Sequence, residues 1–293
     1  MRTREATRKD KAAIVRLCRR SVGRDYVPMF LNDFLDEGGV FVATQRGKII
    51  GMMKYTRCIG GDGWLGAART DPKWRKRGVA TALIEACMKR AASDGPRFVR
   101  LWTLRGNRAA LATARSNGFR EVAAFVRVMR RVGKGAGDCR LRREGSATAV
   151  WRRLRGSRVL RESNGYAAMI LEFVRANPKA ISEAVSMGKI YSLGNSICLA
   201  DEEAWGDAWD VPLEVTPLAG SVKSLLEEAL QFGRERGKRE VHTYLPVGSK
   251  ALRTAKRMGF KVVNWGREAV LFERATRPNI GAQPRKDFER GVA

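Results

Sequence analysis

Apolar positions along this chain recur with two periods that alternate. The clearest helical run is Val79, Ala82, Leu83, Ala86 and Cys87, at i, i+3, i+4, i+7 and i+8, which puts them on one helix face. Asp94-Gly95-Pro96 stops that helix, since glycine accepts a left-handed turn and proline cannot extend the coil. Before it, residues 11–20 read as a short basic helix with Ile14, Leu17 and Cys18 on one side. Residues 40–44 and 49–55 read as two strands about the turn Gln45-Arg46-Gly47-Lys48, and residues 64–70 as a third. After the helix come a strand at 98–103, a helix at 107–117 closed by Gly118, and a strand region at 119–129. The expected class is α/β with a mixed sheet.

The second half repeats this order. Val222, Leu225, Leu226, Ala229 and Leu230 fall in the same phase as the first helical run. A strand at 240–245 answers the one at 98–103, and a helix ending in Met258-Gly259-Phe260 answers the one ending in Asn117-Gly118-Phe119. Phe260-Lys261-Val262-Val263 then answers Phe119-Arg120-Glu121-Val122. Between the halves, residues 131–147 are Gly-rich and basic without apolar periodicity, which reads as a linker. The expectation is two tandem domains of one fold, at residues 1–132 and 148–276, joined by 133–147 and followed by a loose tail at 277–293.

Charge changes this picture. Fifty-seven Lys plus Arg against thirty Asp plus Glu give +27, more than one small anionic ligand requires. One source is attraction to a polyanion, which implies weak, non-specific nucleic-acid binding. The other is a coding bias toward arginine or a thermophile-type surface. The apolar fraction of 44% is that of a globular protein. No apolar run approaches the ~20 residues of a bilayer span, and the charged first ten residues lack a signal peptide's apolar segment. No membrane partner and a cytoplasmic location are therefore expected. Five scattered cysteines, Cys18, Cys58, Cys87, Cys139 and Cys198, never form a CxxC pair, which argues against a disulfide framework or a metal site.

The chemistry gathers in Thr70-Asp71-Pro72-Lys73-Trp74-Arg75-Lys76-Arg77-Gly78-Val79-Ala80. A strand ends at Thr70, Asp71-Pro72 turns the chain, and the amphipathic helix begins within residues 78–81. A helix N-terminus presents unpaired N–H groups and the positive end of the helix dipole. Gly78 and the small Ala80 admit a phosphate to that backbone, and Arg75, Lys76 and Arg77 supply charge. The alternative is an exposed basic turn.

The spacing Arg75-x-x-Gly78-x-Ala80 after a strand resembles the Q/R-x-x-G-x-G/A signature of the GNAT N-acetyltransferase superfamily. Asn107-x-x-Ala110 followed by Gly118-Phe119 resembles that superfamily's later N-x-x-A…G-F segment. The resemblance implies tandem GNAT-like domains, a sheet splayed between two central strands and acetyl-CoA in the splay. Backbone groups of Ala68, Arg69 and Thr70 would pair with the pantetheine arm, and Arg75, Lys76, Arg77, Gly78, Val79, Ala80 and Thr81 would take the pyrophosphate. Asn107 matches a residue that commonly contacts the cofactor or a bound water. The activity implied is transfer of acetyl from acetyl-CoA to an amine, on a small molecule or a protein; the alternative is a non-catalytic CoA-binding regulator or a nucleic-acid-associated protein.

The sequence also departs from that pattern. The tyrosine often found seven residues after the Asn, which protonates the leaving thiolate, is Ala114 here. Where many relatives carry a basic Glu there is Trp64, preceded by Asp62. Asp62 and Tyr55 are the nearest candidates for acid–base work, against a solvated turn carboxylate and a strand-packing ring. In the second half the phosphate turn is lost: Leu218, Gly220, Ser221 and Lys223 stand where Arg75, Arg77, Gly78 and Ala80 stand, and Gly248 replaces Asn107. Ser221 suits a helix N-cap. His242, the only histidine, is either a titrating group or a satisfied structural one. Trp205 and Trp209 are read as cleft or core residues.

Overall fold

The computed structural model describes residues 1–23, 25–135, 137–169, 172–201, 212–263 and 268–276. Its first strand, β1 (Arg2–Glu5), is exposed at every residue and so carries no apolar signal. α1 (Lys11–Ser21) buries Ile14, Leu17 and Cys18, the face expected from the pattern. α2 (Val27–Glu37) has no counterpart among the sequence expectations: Pro28 reads as a breaker, yet in a first helical turn it lacks only an N–H that would be unpaired anyway. β2 (Val40–Gln45) and β3 (Lys48–Arg57) form the expected hairpin, and β4 (Gly63–Thr70) adds to it. α3 (Val79–Asp94) packs Leu83, Cys87 and Ala91 into the sheet and ends at Gly95, whose φ is +79°. Each such buried leucine contributes about 1.5–3 kcal/mol. β5 (Phe98–Leu104), α4 (Arg108–Ser116) and β6 (Arg120–Arg131) complete this half's run.

The second half opens with β7 (Arg142–Arg143), α5 (Ala147–Leu154) and α6 (Arg158–Glu162), then a separate hairpin of β8 (Tyr166–Met169) and β9 (Glu172–Arg175). α7 (Pro178–Ser186), β10 (Ile190–Leu193), β11 (Ser196–Asp201) and β12 (Leu213–Ala219) follow. α8 (Val222–Glu235), β13 (Glu240–Pro246), α9 (Lys250–Arg257), β14 (Lys261–Val262) and β15 (Ala269–Ala275) end the described chain. Within the stretch expected to link the halves, Arg142–Arg143 pairs with β10, and the Glu228 carboxylate accepts from the Arg140 guanidinium at 2.5 Å. Among the described residues no helix is long and apolar enough to cross a membrane.

Thirteen strands form one mixed sheet, ordered β1-β2-β3-β4-β5-β15-β6-β13-β12-β11-β10-β7, with β14 also on β6. The expected repeat reappears as topology: β4-α3-β5-α4-β6 is matched by β12-α8-β13-α9-β14. The halves also share strands. β15, last in the described chain, lies between β5 and β6 and antiparallel to both, with Val270 opposite Thr103 and Ala124. β6 runs alongside β13 from Phe125 to Arg131 and thereby extends the second half's sheet.

A buried ion cluster pins this exchange. Arg100 on β5, 1% exposed, donates to Asp62 at 2.6 Å and to Glu273 on β15 at 2.8 Å. Tyr166 of β8 donates its hydroxyl to the same Glu273 oxygen at 2.8 Å. One arginine therefore ties both halves together, and its charge in a dry environment demands both carboxylates.

Candidate active site

β4 and β5 run parallel and pair only at Gly63–Val99 and Trp64–Arg100. Beyond those pairs they diverge, and a cleft of about 1260 Å³ opens between them. β4 is bulged there: Arg69 faces Met52 and Gly66 faces Lys54, so Ala67 and Ala68 together oppose Met53. Ala67 takes a φ of +51°, a conformation that costs a side-chain-bearing residue about 1–3 kcal/mol. The bulge takes Ala67 and Ala68 out of the ladder with β3, and residues 66–70 line the cleft wall. On its β5 side that backbone has no strand partner, so its N–H and C=O groups suit an extended ligand.

The turn after β4 is held by Asp71, whose carboxylate accepts from the Lys73 N–H at 3.0 Å and the Arg20 Nε at 3.0 Å. Lys76 and Gly78 both adopt positive φ, +59° and +74°, curling the chain into the start of α3. Gly78 stands at the N-cap, with no side chain capping the helix. The first backbone bond runs from the Ala82 N–H to the Gly78 carbonyl at 3.0 Å, so the amides of Val79, Ala80 and Thr81 precede the helical ladder. With the helix dipole behind them these open amides can seat an anion.

Most residues expected to hold the cofactor meet at this cleft: Ala68, Arg69, Thr70, Arg75, Lys76, Gly78, Val79, Ala80, Thr81 and Asn107 all line it. Their roles differ. The Arg69 guanidinium is engaged twice by Asp25, at 2.7 and 2.6 Å, which leaves its backbone for a ligand. Asn107 spends its Oδ1 on capping α4, accepting from the Ala110 N–H at 3.2 Å. Arg77 is not among the lining residues; its guanidinium lies over the Trp74 ring at 5.3 Å. Ala114 lines the cleft, so no hydroxyl is offered at the position where relatives often place tyrosine.

The two acid–base candidates do not line the cleft. Asp62 is committed to Arg100 and also accepts from the Phe98 N–H at 3.3 Å. Tyr55 packs with Leu83, Cys87 and Met88, in the core beneath α3. Burial, with Asp94 adding, pushes its hydroxyl up to about 12, which makes it a weak acid and no base at neutral pH. For Tyr55 the reason is the strand's alternation, since its neighbours Lys54 and Thr56 line the cleft and residues one apart face opposite sides of a sheet, whereas Asp62 lies in the turn before β4 and is held by Arg100.

Sequence reasoning missed three groups on the cleft wall. α2 contributes Asp33 and Glu37, and β9 contributes Glu172 from the second half. Burial raises the Glu172 carboxyl to about 7, against the opposing pull of a hydrogen bond from Cys58 and the charge of Lys54. The signal for it was a single carboxylate inside the apolar run Ala167-Ala168-Met169-Ile170-Leu171-Glu172-Phe173-Val174. Lys54 itself is buried, with its ammonium 2.8 Å from Glu37 and 5.0 Å from the centre of the Phe34 ring.

The second half has the same parallel start, Leu213–Val241 and Glu214–His242, but a different turn. Ser221 caps α8, accepting from the Ser224 N–H at 3.3 Å as expected from its sequence. β12 is buried at every residue, whereas the end of β4 is open. His242 is buried and its Nε2 lies 2.9 Å from Glu240; burial, then Arg127, lowers its pKa to about 4, so it is neutral at physiological pH. Trp205 and Trp209 lie outside the described residues.

Residues 12–119 match the model of the Acetyltransferase (GNAT) family. Solved structures of similar fold span the whole chain. A GCN5-related N-acetyltransferase from Sphaerobacter thermophilus is 15% identical, covers 96% of this chain and 97% of its own, and has a TM-score of 0.62. One from Kribbella flavida is 17% identical, covers 94% and 70%, and has a TM-score of 0.51. A tandem GNAT protein from the clavulanic acid biosynthesis pathway is 13% identical, covers 95% and 99%, and has a TM-score of 0.54. At these identities the likeness is one of fold. No curated protein matches the sequence. Residues 12–119, which carry the cleft, thus match the GNAT acetyltransferase family, and the chain as a whole has the tandem GNAT fold.

Proposed function

We propose that the chain transfers acetyl from acetyl-CoA to an amine, in the cleft between β4 and β5, and that its second half is a degenerate copy without a cofactor site. The observation that carries this reading is the uncapped start of α3 opening onto that cleft. The pyrophosphate rests on the amides of Val79, Ala80 and Thr81, with Arg75 and Lys76 beside it. The pantetheine arm runs along the backbone of Ala68, Arg69 and Thr70, as an added strand would. Held there, the thioester faces a wall that includes Trp64 and Trp102. A neutral amine attacks its carbonyl carbon, the C–S bond breaks, the thiolate leaves and the nitrogen gives up one proton to that thiolate or to solvent; fixing both reactants in one cleft supplies much of the rate.

Isothermal calorimetry on the full chain tests the site. Gly78 has no atom within 4 Å of where a Cβ would stand, but its φ of +74° strains any side chain by about 1–3 kcal/mol, so Gly78→Glu is compared with Gly78→Ala, which carries the same strain without the carboxylate. Acetyl-CoA binding by wild type and loss of it in folded Gly78→Glu is the expected result. Unchanged affinity in the variant contradicts the proposal.

A further inference from the structure

Glu172 belongs to the second half, yet it lines the first half's cleft together with Lys54, Thr56, Trp64 and Trp102. Its position is fixed from behind. The next residue, Phe173, is buried against Phe125, Tyr244 and Trp64, with ring centres 4.5, 5.4 and 6.5 Å away. The turn that carries Cys58 is tied to the second half as well, since the Gly60 N–H donates to Glu183 on α7 at 2.6 Å. The charged and titratable groups around Glu172 are the Cys58 thiol, Lys54 from β3 and Glu37 from the end of α2. Burial holds the carboxyl near 7, whereas Cys58 is itself pushed far up by burial and stays a thiol. Among the described residues, Glu37 is the carboxylate that acts on Glu172, and the two residues first read as acid–base candidates do not line the cleft.

We infer that Glu172, delivered across the interface by β9, is the proton acceptor for the nucleophile that attacks in the first-half cleft. This rests on the acetyl-transfer reading above. An acceptor amine arrives as an ammonium ion. One N–H proton passes to the Glu172 carboxylate and frees the nitrogen lone pair, the nitrogen bonds to the acetyl carbon, and the C–S electron pair leaves on sulfur. The second nitrogen proton then passes to the thiolate or to solvent. A carboxylate whose pKa lies near neutrality suits this work, because it is both deprotonated above pH 7 and more basic than an ordinary Glu. The second half then serves catalysis without binding cofactor.

The test follows thiol release from acetyl-CoA by the full chain between pH 5.5 and 9, with water alone and with spermidine as the acceptors. Wild type should release thiol at a rate that rises through a midpoint near 7. Glu172→Gln should bind acetyl-CoA with wild-type affinity in calorimetry, lose ~10²–10⁴-fold in rate, and show no rise near 7. Glu172→Asp should recover part of the rate with a displaced midpoint. A Glu172→Gln chain that binds acetyl-CoA and keeps the wild-type rate or the wild-type pH profile overturns the inference, as does a wild type that binds acetyl-CoA without releasing thiol. A wild type that fails to bind acetyl-CoA overturns the reading of the cleft instead, so the two failures are told apart.

Discussion

α3 and α8 start in the same way topologically, each following a strand that pairs in parallel for only two residues, yet their first turns differ chemically. At α3 the N-cap is Gly78 at φ +74°, with no side chain to accept from the helix amides. At α8 it is Ser221, whose Oγ takes the Ser224 N–H. Next to it, Gly220 packs so closely on the second strand that a Cβ would come within 2.6 Å of the Ser196 backbone. One helix start is finished by a side chain; the other is left open, and on the proposed function a ligand finishes it. On that reading the same local geometry serves stability in one half and binding in the other, and a single capping side chain marks the difference.

The largest expected effect separates these two turns directly. Gly78→Glu removes several charge-assisted contacts of about 1.5–3 kcal/mol each, so acetyl-CoA affinity should fall by more than ~100-fold. Ser221→Glu at the matching position should leave it unchanged in the same calorimetry. An equal loss in both variants would break the comparison.

Next in size is the pin between the halves. Arg100→Met strands the Asp62 and Glu273 carboxylates in a dry environment, and removing one partner of a buried pair costs about 3–5 kcal/mol. Urea unfolding should show a shift of that size in one cooperative transition, because β15 and β6 bind the halves into one sheet. Two separate transitions in wild type would show that the shared strands do not couple them.

Removing the α8 cap should matter less. Ser221→Ala should lower stability by about 1 kcal/mol, the usual worth of an N-cap serine. It should not create a second acetyl-CoA site, since Leu218 and Gly220 supply no charge there.

The smallest effect is on pH. His242 has its pKa lowered to about 4 in the fold against 6.5 unfolded, so the unfolded chain binds the proton more readily. Its contribution to stability is present above 6.5 and is lost as the pH falls through 6.5 toward 4. Between pH 7 and 6 the loss is roughly 0.7 kcal/mol. Thermal unfolding of wild type and His242→Gln over that range should diverge by this amount; parallel curves would contradict the assignment.

Much of this was legible in the residues because it rests on local physics. The Val79–Cys87 phase, the Gly95 stop and the Arg75-x-x-Gly78 turn each depend on neighbours within a few positions, and all appear in α3 and its entrance. α2 was hidden by Pro28, whose effect depends on which helical position it occupies. The insertion of β15 between β5 and β6 was hidden because Ala269-Val270-Leu271-Phe272 announces a buried strand without naming its partners. Asp62 looked available for chemistry because its partner, Arg100, lies thirty-eight positions away. Glu172 was missed for the opposite reason: its importance comes only from the cleft that the other half builds around it.

The central claim is that the two halves share a fold and divide the work, one binding cofactor and the other supporting it. Titration of the full chain with acetyl-CoA, read by calorimetry, tests it most directly. The account predicts one molecule bound per chain, with the same stoichiometry and affinity in Lys223→Glu. Two molecules per chain, or loss of binding on that substitution at the start of α8, would contradict it.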